Sequence, residues 1–241
     1  MTGKLVEILN TSKTIVFFGG AGVSTESGIP DFRSEQGLYR AKAQYGHAPE
    51  ELLSHAFLMR NPSAFFEYYK NNLIHKDAKP NAAHIALAML ERTGKLSATV
   101  TQNIDGLHQA AGAKTVYELH GSIHRNYCMD CKAAYSLEYI LTAGSSIPVC
   151  AACGGIVRPD VVLYGEPLDD QTWTNAISAI QSADALIVGG TSLSVYPAAG
   201  LLRYYRGNML CLINKTETPF DAYANLVIHE SIGAVLTEAI H

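Results

Sequence analysis

Five short apolar runs recur along the chain, and their alternation with helical stretches constrains the fold more than any other feature. The runs cover residues 14–18, 97–101, 185–188, 209–213 and 226–228. Nearly continuous apolar strands of about five residues are typical of a parallel sheet that is buried on both faces. Amphipathic stretches at 82–93, 172–182 and 197–206 lie between them. Strands that alternate with helices predict an α/β fold with a doubly wound parallel sheet.

Two stretches interrupt this alternation. Residues 41–79 show a helical, aromatic-rich pattern without a strand signal, and the region around 127–155 holds four cysteines. We interpret both as insertions into the sheet domain. The predicted division is a sheet domain made of residues 1–40, 80–123 and 158–241, a helical insertion at 41–79, and a four-cysteine module at 124–157.

Composition and charge narrow the class of protein. Hydrophobic residues make up 48% of the 241 residues and charged residues 17%, which is enough apolar sequence to form a sizeable core. The formal net charge of −4 disfavours a nucleic-acid partner. No apolar run approaches the roughly 18 residues that span a bilayer, and the first residues do not resemble a signal peptide. We therefore expect a cytoplasmic protein without a membrane or nucleic-acid partner. The sequence is compatible with a monomer and does not define the oligomeric state.

The four clustered cysteines predict a metal site. Cys128 and Cys131 form one C-x-x-C pair, Cys150 and Cys153 form another, and 18 residues separate the pairs. This spacing is typical of a four-thiolate zinc site, and a site with four protein ligands has no open position for catalysis. The predicted zinc is therefore structural. The fifth cysteine, Cys211, lies within an apolar run and is expected in the core.

A glycine-rich sequence follows the first apolar run directly. Gly20, Ala21 and Gly22 lie where a strand could turn and let the backbone approach a phosphate at a helix N-terminus. Thr25 occupies the place of the third glycine of the usual dinucleotide fingerprint, so a simple tight turn is the alternative. The next loop contains Asp31, Phe32 and Arg33, which could close over an anionic ligand or form an ordinary surface loop.

Polar residues follow several of the other predicted strands. Gln102, Asn103 and Asp105 come after the second run, Thr191 and Ser192 after the third, and Asn214 after the fourth, while His120 follows residues 116–119. Each could be a helix cap or a turn former. Because ligands of open α/β sheets bind at the carboxyl ends of strands, we favour a shared ligand crevice.

Several motifs in a fixed order resemble the sirtuin family. They are residues 20–24, 27–34, 101–108, 120–122, 158–162, 165–166 and 190–193, and the resemblance extends from about residue 15 to 232. It implies a Rossmann-like doubly wound parallel sheet with a small zinc-binding module and a helical insertion. It also implies an NAD-dependent protein-lysine deacylase, most similar to the short bacterial form.

The resemblance implies roles for individual residues. His120 is the implied catalytic base. Gln102 and Asn103 would contact the ribose nearest nicotinamide, with Ile104 and Asp105 at the nicotinamide. The remaining implied NAD contacts are Gly20, Ala21, Gly22, Thr25, Asp31, Phe32, Arg33, Gly190, Thr191, Ser192, Asn214, Ser231 and Ile232.

Two segments are implied to flank the substrate peptide through backbone pairing. They comprise Val161, Val162, Leu163, Tyr164, Gly165 and Glu166 on one side, and Leu193, Ser194 and Val195 on the other. Tyr164 stands where the family often has phenylalanine, which leaves the peptide preference open.

The implied reaction releases nicotinamide, free lysine and O-acyl-ADP-ribose, and His120 accepts a ribose hydroxyl proton. The alternatives are a protein mono-ADP-ribosyltransferase that uses the same pocket, and a non-catalytic zinc-containing module that binds NAD or nucleic acid. No arginine lies between Arg60 and Arg92, and the aromatics Phe66 and Tyr69 suit either an apolar acyl pocket or helix packing. Because a guanidinium fork best binds a terminal carboxylate, the sequence predicts that acetyl or longer apolar acyl groups are preferred over succinyl.

Overall fold

The computed structural model describes residues 2–30, 42–143 and 147–240. Its strands are β1 (Ile15–Gly19), β2 (Leu96–Thr101), β3 (Val116–Glu118), β4 (Gly121–Cys128), β5 (Ala134–Ser136), β6 (Val157–Val161), β7 (Ala185–Gly189), β8 (Met209–Ile213) and β9 (Leu226–Ile228). Its α-helices are α1 (Thr2–Thr11), α2 (Pro49–Leu52), α3 (His55–Arg60), α4 (Pro62–Asn72), α5 (Ala82–Arg92), α6 (Leu107–Ala110), α7 (Leu137–Thr142), α8 (Asp170–Ser182) and α9 (Ile232–Ile240). All five apolar runs form strands.

The large sheet has the strand order β3-β2-β1-β7-β8-β9, and every neighbouring pair is parallel. Strand β1 is buried on both faces. Ile15 and Phe17 pack with helices α1, α5 and α9, while Val16 and Phe18 pack with α8 and the 3₁₀ segment Ala198–Tyr204. Helices on both faces explain the continuous apolar run, and the predicted doubly wound parallel sheet is confirmed.

A second sheet, of order β5-β4-β6, is antiparallel. It shares one apolar core with helices α2, α3, α4 and α7, so the helical insertion and the cysteine segment pack together. This small sheet runs from Gly121 to Val161, which extends beyond the predicted module at 124–157. The domain limits stay a prediction.

Local chemistry sets the ends of the helices. The predicted helix at 172–182 begins at Asp170, because the Asp169 side chain accepts a hydrogen bond from Thr172 N at 2.8 Å. The helix predicted at 197–206 is a 3₁₀ segment over Ala198–Tyr204, in which Gly200 N donates to Pro197 O. Among the described residues, no helix is long and apolar enough to cross a membrane.

Two buried histidines lie between α5 and α6. The rings of His84 and His108 are 4.7 Å apart, and neither ring nitrogen of His108 has a hydrogen-bond partner among the described residues. Burial, and then the neighbouring His84, lower the pKa of His108 to about 3. Burial also lowers the pKa of His84, although Asp105 and Glu26 partly oppose it. Both rings are therefore neutral in the folded protein near pH 7.

This pair predicts a loss of stability in mild acid. Below pH about 6.5 the unfolded chain binds a proton at residue 108 and the folded chain does not, so stability falls as the pH falls. For His108 alone the free energy of unfolding decreases by about 1.4 kcal/mol between pH 7.5 and 5.5. Urea unfolding across this range measures the decrease. His108→Leu should flatten the pH dependence, whereas His229→Gln at an exposed histidine should not; equal slopes for His108→Leu and the unmodified protein would contradict the assignment.

Candidate functional site

A cavity of about 580 Å³ opens where strands β1, β2 and β7 end. This is the sheet edge at which the sequence predicts a ligand crevice. The large sheet supplies one side of the wall and the segment after β6 supplies the other. Of the predicted site residues, the wall contains 20–22, 102–105, His120, 161–166, 190–192 and 194–195.

Other predicted residues lie outside this wall. Thr25 donates its hydroxyl proton to Gly22 O at 2.9 Å, Leu193 is buried, and the Asn214 amide donates to Thr216 O at 2.8 Å. Ser231 donates to Glu26 at 2.5 Å, and Ile232 packs in the core. Asp31, Phe32 and Arg33 lie outside the described residues.

The glycine turn, residues 19–27, requires glycine because two backbone segments touch. Gly22 N donates to Gly190 O at 2.8 Å, and a Cβ on Gly22 would lie 2.8 Å from Gly190 Cα. The turn continues into two 3₁₀ segments, Ala21–Val23 and Thr25–Ser27. Among the described residues, the helical structure that follows the glycines is therefore 3₁₀ and not α, and Thr25 begins the second of these segments.

A hydrogen-bonded network joins the glycine turn to the end of β2. Ser24 Oγ donates to Asp105 Oδ2 at 2.6 Å, and Asn103 Nδ2 donates to Ser24 Oγ at 2.9 Å. Asp105 Oδ1 also accepts from Leu107 N at 2.9 Å. These bonds fix the orientation of the Asn103 and Asp105 side chains toward the cavity. Ser24 lines the cavity but was not among the predicted site residues, although its place in the glycine motif was a usable signal.

His120 lies between β3 and β4, where the chain passes from the large sheet to the small one. Its Nδ1 is 2.9 Å from Gln102 O. A carbonyl can only accept, so Nδ1 carries the proton and Nε2 is the unprotonated nitrogen. Burial lowers the pKa of His120, and the bond to Gln102 opposes this in part. The ring is therefore neutral near pH 7 and can accept a proton at Nε2.

The segment after β6 is fixed by the helical insertion. Tyr164 N donates to Leu53 O and His55 N donates to Tyr164 O, both at 3.0 Å. The Glu166 carboxylate forms an ion pair with Arg158 and accepts from Leu163 N at 2.9 Å. Burial raises the pKa of Glu166, but the bonds from Arg158, Leu163 and His55 outweigh it and lower the pKa to about 2. The Glu166 side chain is therefore an anionic carboxylate near pH 7, and its hydrogen bonds fix this turn.

Apolar side chains from the helical insertion and the small sheet line much of the cavity. Leu53, Leu73 and Leu168 were not predicted, because no local pattern distinguishes them from core residues. The aromatics of α4, including Phe66 and Tyr69, are buried in the core of the small sheet, so the helix-packing interpretation holds for them. Among the described wall residues, Asp105 and Glu166 are the only carboxylates, and none is a lysine or arginine.

The four predicted zinc ligands converge in the small sheet. The Sγ atoms of Cys128, Cys131, Cys150 and Cys153 all lie within 4.8 Å of one another, and two pairs are 3.5 Å apart. A tetrahedron with metal–sulfur distances of about 2.3 Å places its sulfurs roughly 3.8 Å apart, so the cluster fits zinc. None of the four lines the cavity, which agrees with a structural ion.

Comparisons with known proteins agree with one another. The model of the Sir2 family matches residues 20–197. The chain is 61% identical over 237 residues to an NAD-dependent protein deacetylase of Clostridium acetobutylicum, covering 98% of this chain and 97% of that protein. It is 46% identical over 238 residues to a deacetylase of the same description from Staphylococcus epidermidis, covering 99% and 96%.

Solved structures show the same similarity. One structure of Sir2 enzymes superposes with a TM-score of 0.89 at 42% identity, covering 99% of this chain and 96% of that chain. A structure of Sir2 bound to acetylated peptide superposes with a TM-score of 0.87 at 36% identity, covering 100% and 97%.

The cysteine cluster predicts that folding depends on zinc. Cys128→Ala, or removal of the ion with a strong chelator, should unfold the small sheet, because metal binding by such sites contributes on the order of 10 kcal/mol to folding in small peptides. Metal content and the unfolding midpoint measure the effect. Cys211→Ala is the matched control, since Cys211 is a buried cysteine outside the cluster and should keep one zinc per chain. Full zinc content and an unchanged midpoint in Cys128→Ala would contradict the site.

Proposed function

The chain belongs to the Sir2 family, and from this premise we propose that it is an NAD-dependent deacetylase of protein lysine side chains. The observation that carries the proposal is His120, a neutral base whose ring is orientated by its hydrogen bond to Gln102 O. It lies in the wall of a cavity that the glycine turn and residues 161–166 also line. The relatives that match almost the whole chain support the same activity.

The residues of the cavity fit NAD. Gly20, Ala21 and Gly22 line the cavity, so the backbone of the glycine turn would lie against the phosphates of NAD. Gln102 Nε2 donates a hydrogen bond to Thr191 Oγ1 at 3.1 Å, and Ser24 Oγ forms hydrogen bonds with both Asn103 and Asp105. When bound, NAD would supply the ADP-ribosyl group that receives the acyl group, with nicotinamide as the leaving group and one water molecule consumed to release the lysine amine. His120 takes up a ribose hydroxyl proton at Nε2.

The substrate is an acylated lysine of a protein. We propose that residues 161–166 and 193–195 flank the peptide, since all of them line the cavity except Leu193, which is buried next to Ser194. Backbone pairing on such edges gives affinity with little side-chain selectivity. A cytoplasmic location is part of the proposal, because four thiols that hold zinc suit a reducing compartment.

A mono-ADP-ribosyltransferase would use the same pocket with a different nucleophile. Product analysis separates the two activities: the deacetylase releases free lysine and O-acetyl-ADP-ribose, whereas the transferase leaves ADP-ribose on the protein. A non-catalytic binding module would release no nicotinamide from NAD in the presence of an acetyl-lysine peptide.

Replacement of His120 should remove the base without unfolding the chain. We expect His120→Ala to keep its zinc and its circular dichroism spectrum and to lower turnover by about 10²–10⁴. Nicotinamide release with an acetyl-lysine peptide is the measurement, and His75→Ala, outside the cavity, is the control. Near-normal turnover by folded His120→Ala would exclude His120 as the base.

The charge of the cavity predicts the acyl preference. The described wall offers a succinyl carboxylate no lysine or arginine, and its carboxyl residues, Asp105 and Glu166, supply no positive charge. We expect kcat/KM for acetyl-lysine to exceed that for succinyl-lysine by roughly 10- to 100-fold, the equivalent of 1.4–2.8 kcal/mol. One peptide carrying acetyl, propionyl or succinyl groups in turn provides the measurement. A succinyl value equal to or above the acetyl value would overturn this prediction.

A further inference from the structure

Asn81 does more than begin helix α5. As its N-cap, it accepts hydrogen bonds through Oδ1 from Ala83 N at 2.9 Å and His84 N at 3.4 Å. Its own N–H donates to His84 Nδ1 at 3.3 Å. These bonds complete the cap, and they need only an acceptor oxygen on the Asn81 side chain.

The other end of the same amide reaches the glycine turn. Asn81 Nδ2 donates to Val23 O at 2.7 Å and to Ser27 Oγ at 2.9 Å. Both protons of the amide are thereby used. Val23 is fully buried and lies between Gly22 and Ser24, which both line the cavity. The amide therefore joins the start of α5 to the back of the turn whose front faces the cavity.

The front of the turn carries the polar network of the site. Ser24 follows Val23 directly and bonds to both Asn103 and Asp105. A shift of the Val23 carbonyl would move Ser24, and with it the two side chains that Ser24 holds. The hydrogen bonds of Asn81 are thus placed where they fix the turn against this network.

We propose that Asn81 is a positioning residue for NAD binding. Its hydrogen bonds to Val23 O and Ser27 Oγ fix the position of the glycine turn. The inference rests on the proposed function, because it assigns the cavity to NAD. Asn81 does not line the cavity, so it acts through the turn and not by contact with the ligand.

Asn81→Asp separates the two tasks of this side chain. A carboxylate caps a helix as well as asparagine does, but it cannot donate to Val23 O. We expect the variant to stay folded and to bind NAD about tenfold more weakly, because the bond to Val23 O is lost and a carboxylate oxygen then faces that carbonyl. Calorimetric titration with NAD gives Kd without turnover. In steady-state assays KM for NAD should rise while kcat at saturating NAD stays within about twofold.

Asn61→Asp is the matched control. Asn61 is the N-cap of α4 and accepts from Ala64 N, and the structure shows no bond from it to the glycine turn among the described residues. The same substitution there should leave Kd for NAD unchanged. Ser27→Ala removes one of the two contacts with little effect on folding and should weaken NAD binding two- to fourfold.

The outcomes are distinct. A folded Asn81→Asp variant with the Kd of the unmodified protein would overturn the inference, as would an equal loss in Asn61→Asp. If Asn81→Asp fails to fold, Ser27→Ala decides, and an unchanged Kd in that variant overturns the inference. If the unmodified protein itself does not bind NAD, the proposed function fails, and the inference fails with it.

Discussion

The close contact between the glycine turn and Gly190 is the constraint on which the site depends. β1 and β7 lie side by side in register, so Gly19 is paired with Gly189, and both chains leave the sheet at the same level. Each must turn immediately, and a Cβ at residue 22 or 190 would meet backbone atoms of the other turn at less than 3.0 Å. The absence of side chains there lets the two turns pack against each other, and both turns line the cavity.

The position of His120 follows from the way in which the two sheets are joined. β3, an edge strand of the large sheet, ends at Glu118, and β4 of the small sheet begins at Gly121. His120 lies in the short connection between these two strands. Its Nδ1 bonds to Gln102 O beside β2, and its own carbonyl accepts from Val162 N beyond β6. The base is held by both sheets at once, which fixes its tautomer and leaves Nε2 unprotonated.

The small sheet shows why an ion remote from the cavity matters for the site. Three short antiparallel strands and several helices of four to eleven residues bury one core. That core supports Leu53, Leu73 and the segment 161–166, which form the apolar side of the cavity. Short strands and short helices gain little stability alone, so a metal that ties Cys128 and Cys131 to Cys150 and Cys153 stabilises the wall indirectly.

The sequence by itself determined the five apolar strands, the cysteine tetrad and the glycine turn after β1, because each depends on local periodicity or on a spacing within one segment. It also brought the strand-end residues Gln102, Asn103 and Thr191 to one edge, because parallel strands share their carboxyl ends. Only the tertiary structure decided which apolar residues of the insertion face the cavity, that Glu166 is bound to Arg158, and that Asn81 reaches the turn more than fifty residues earlier. Those contacts join segments that no local pattern relates, so they are defined only when the separate cores pack around the sheet.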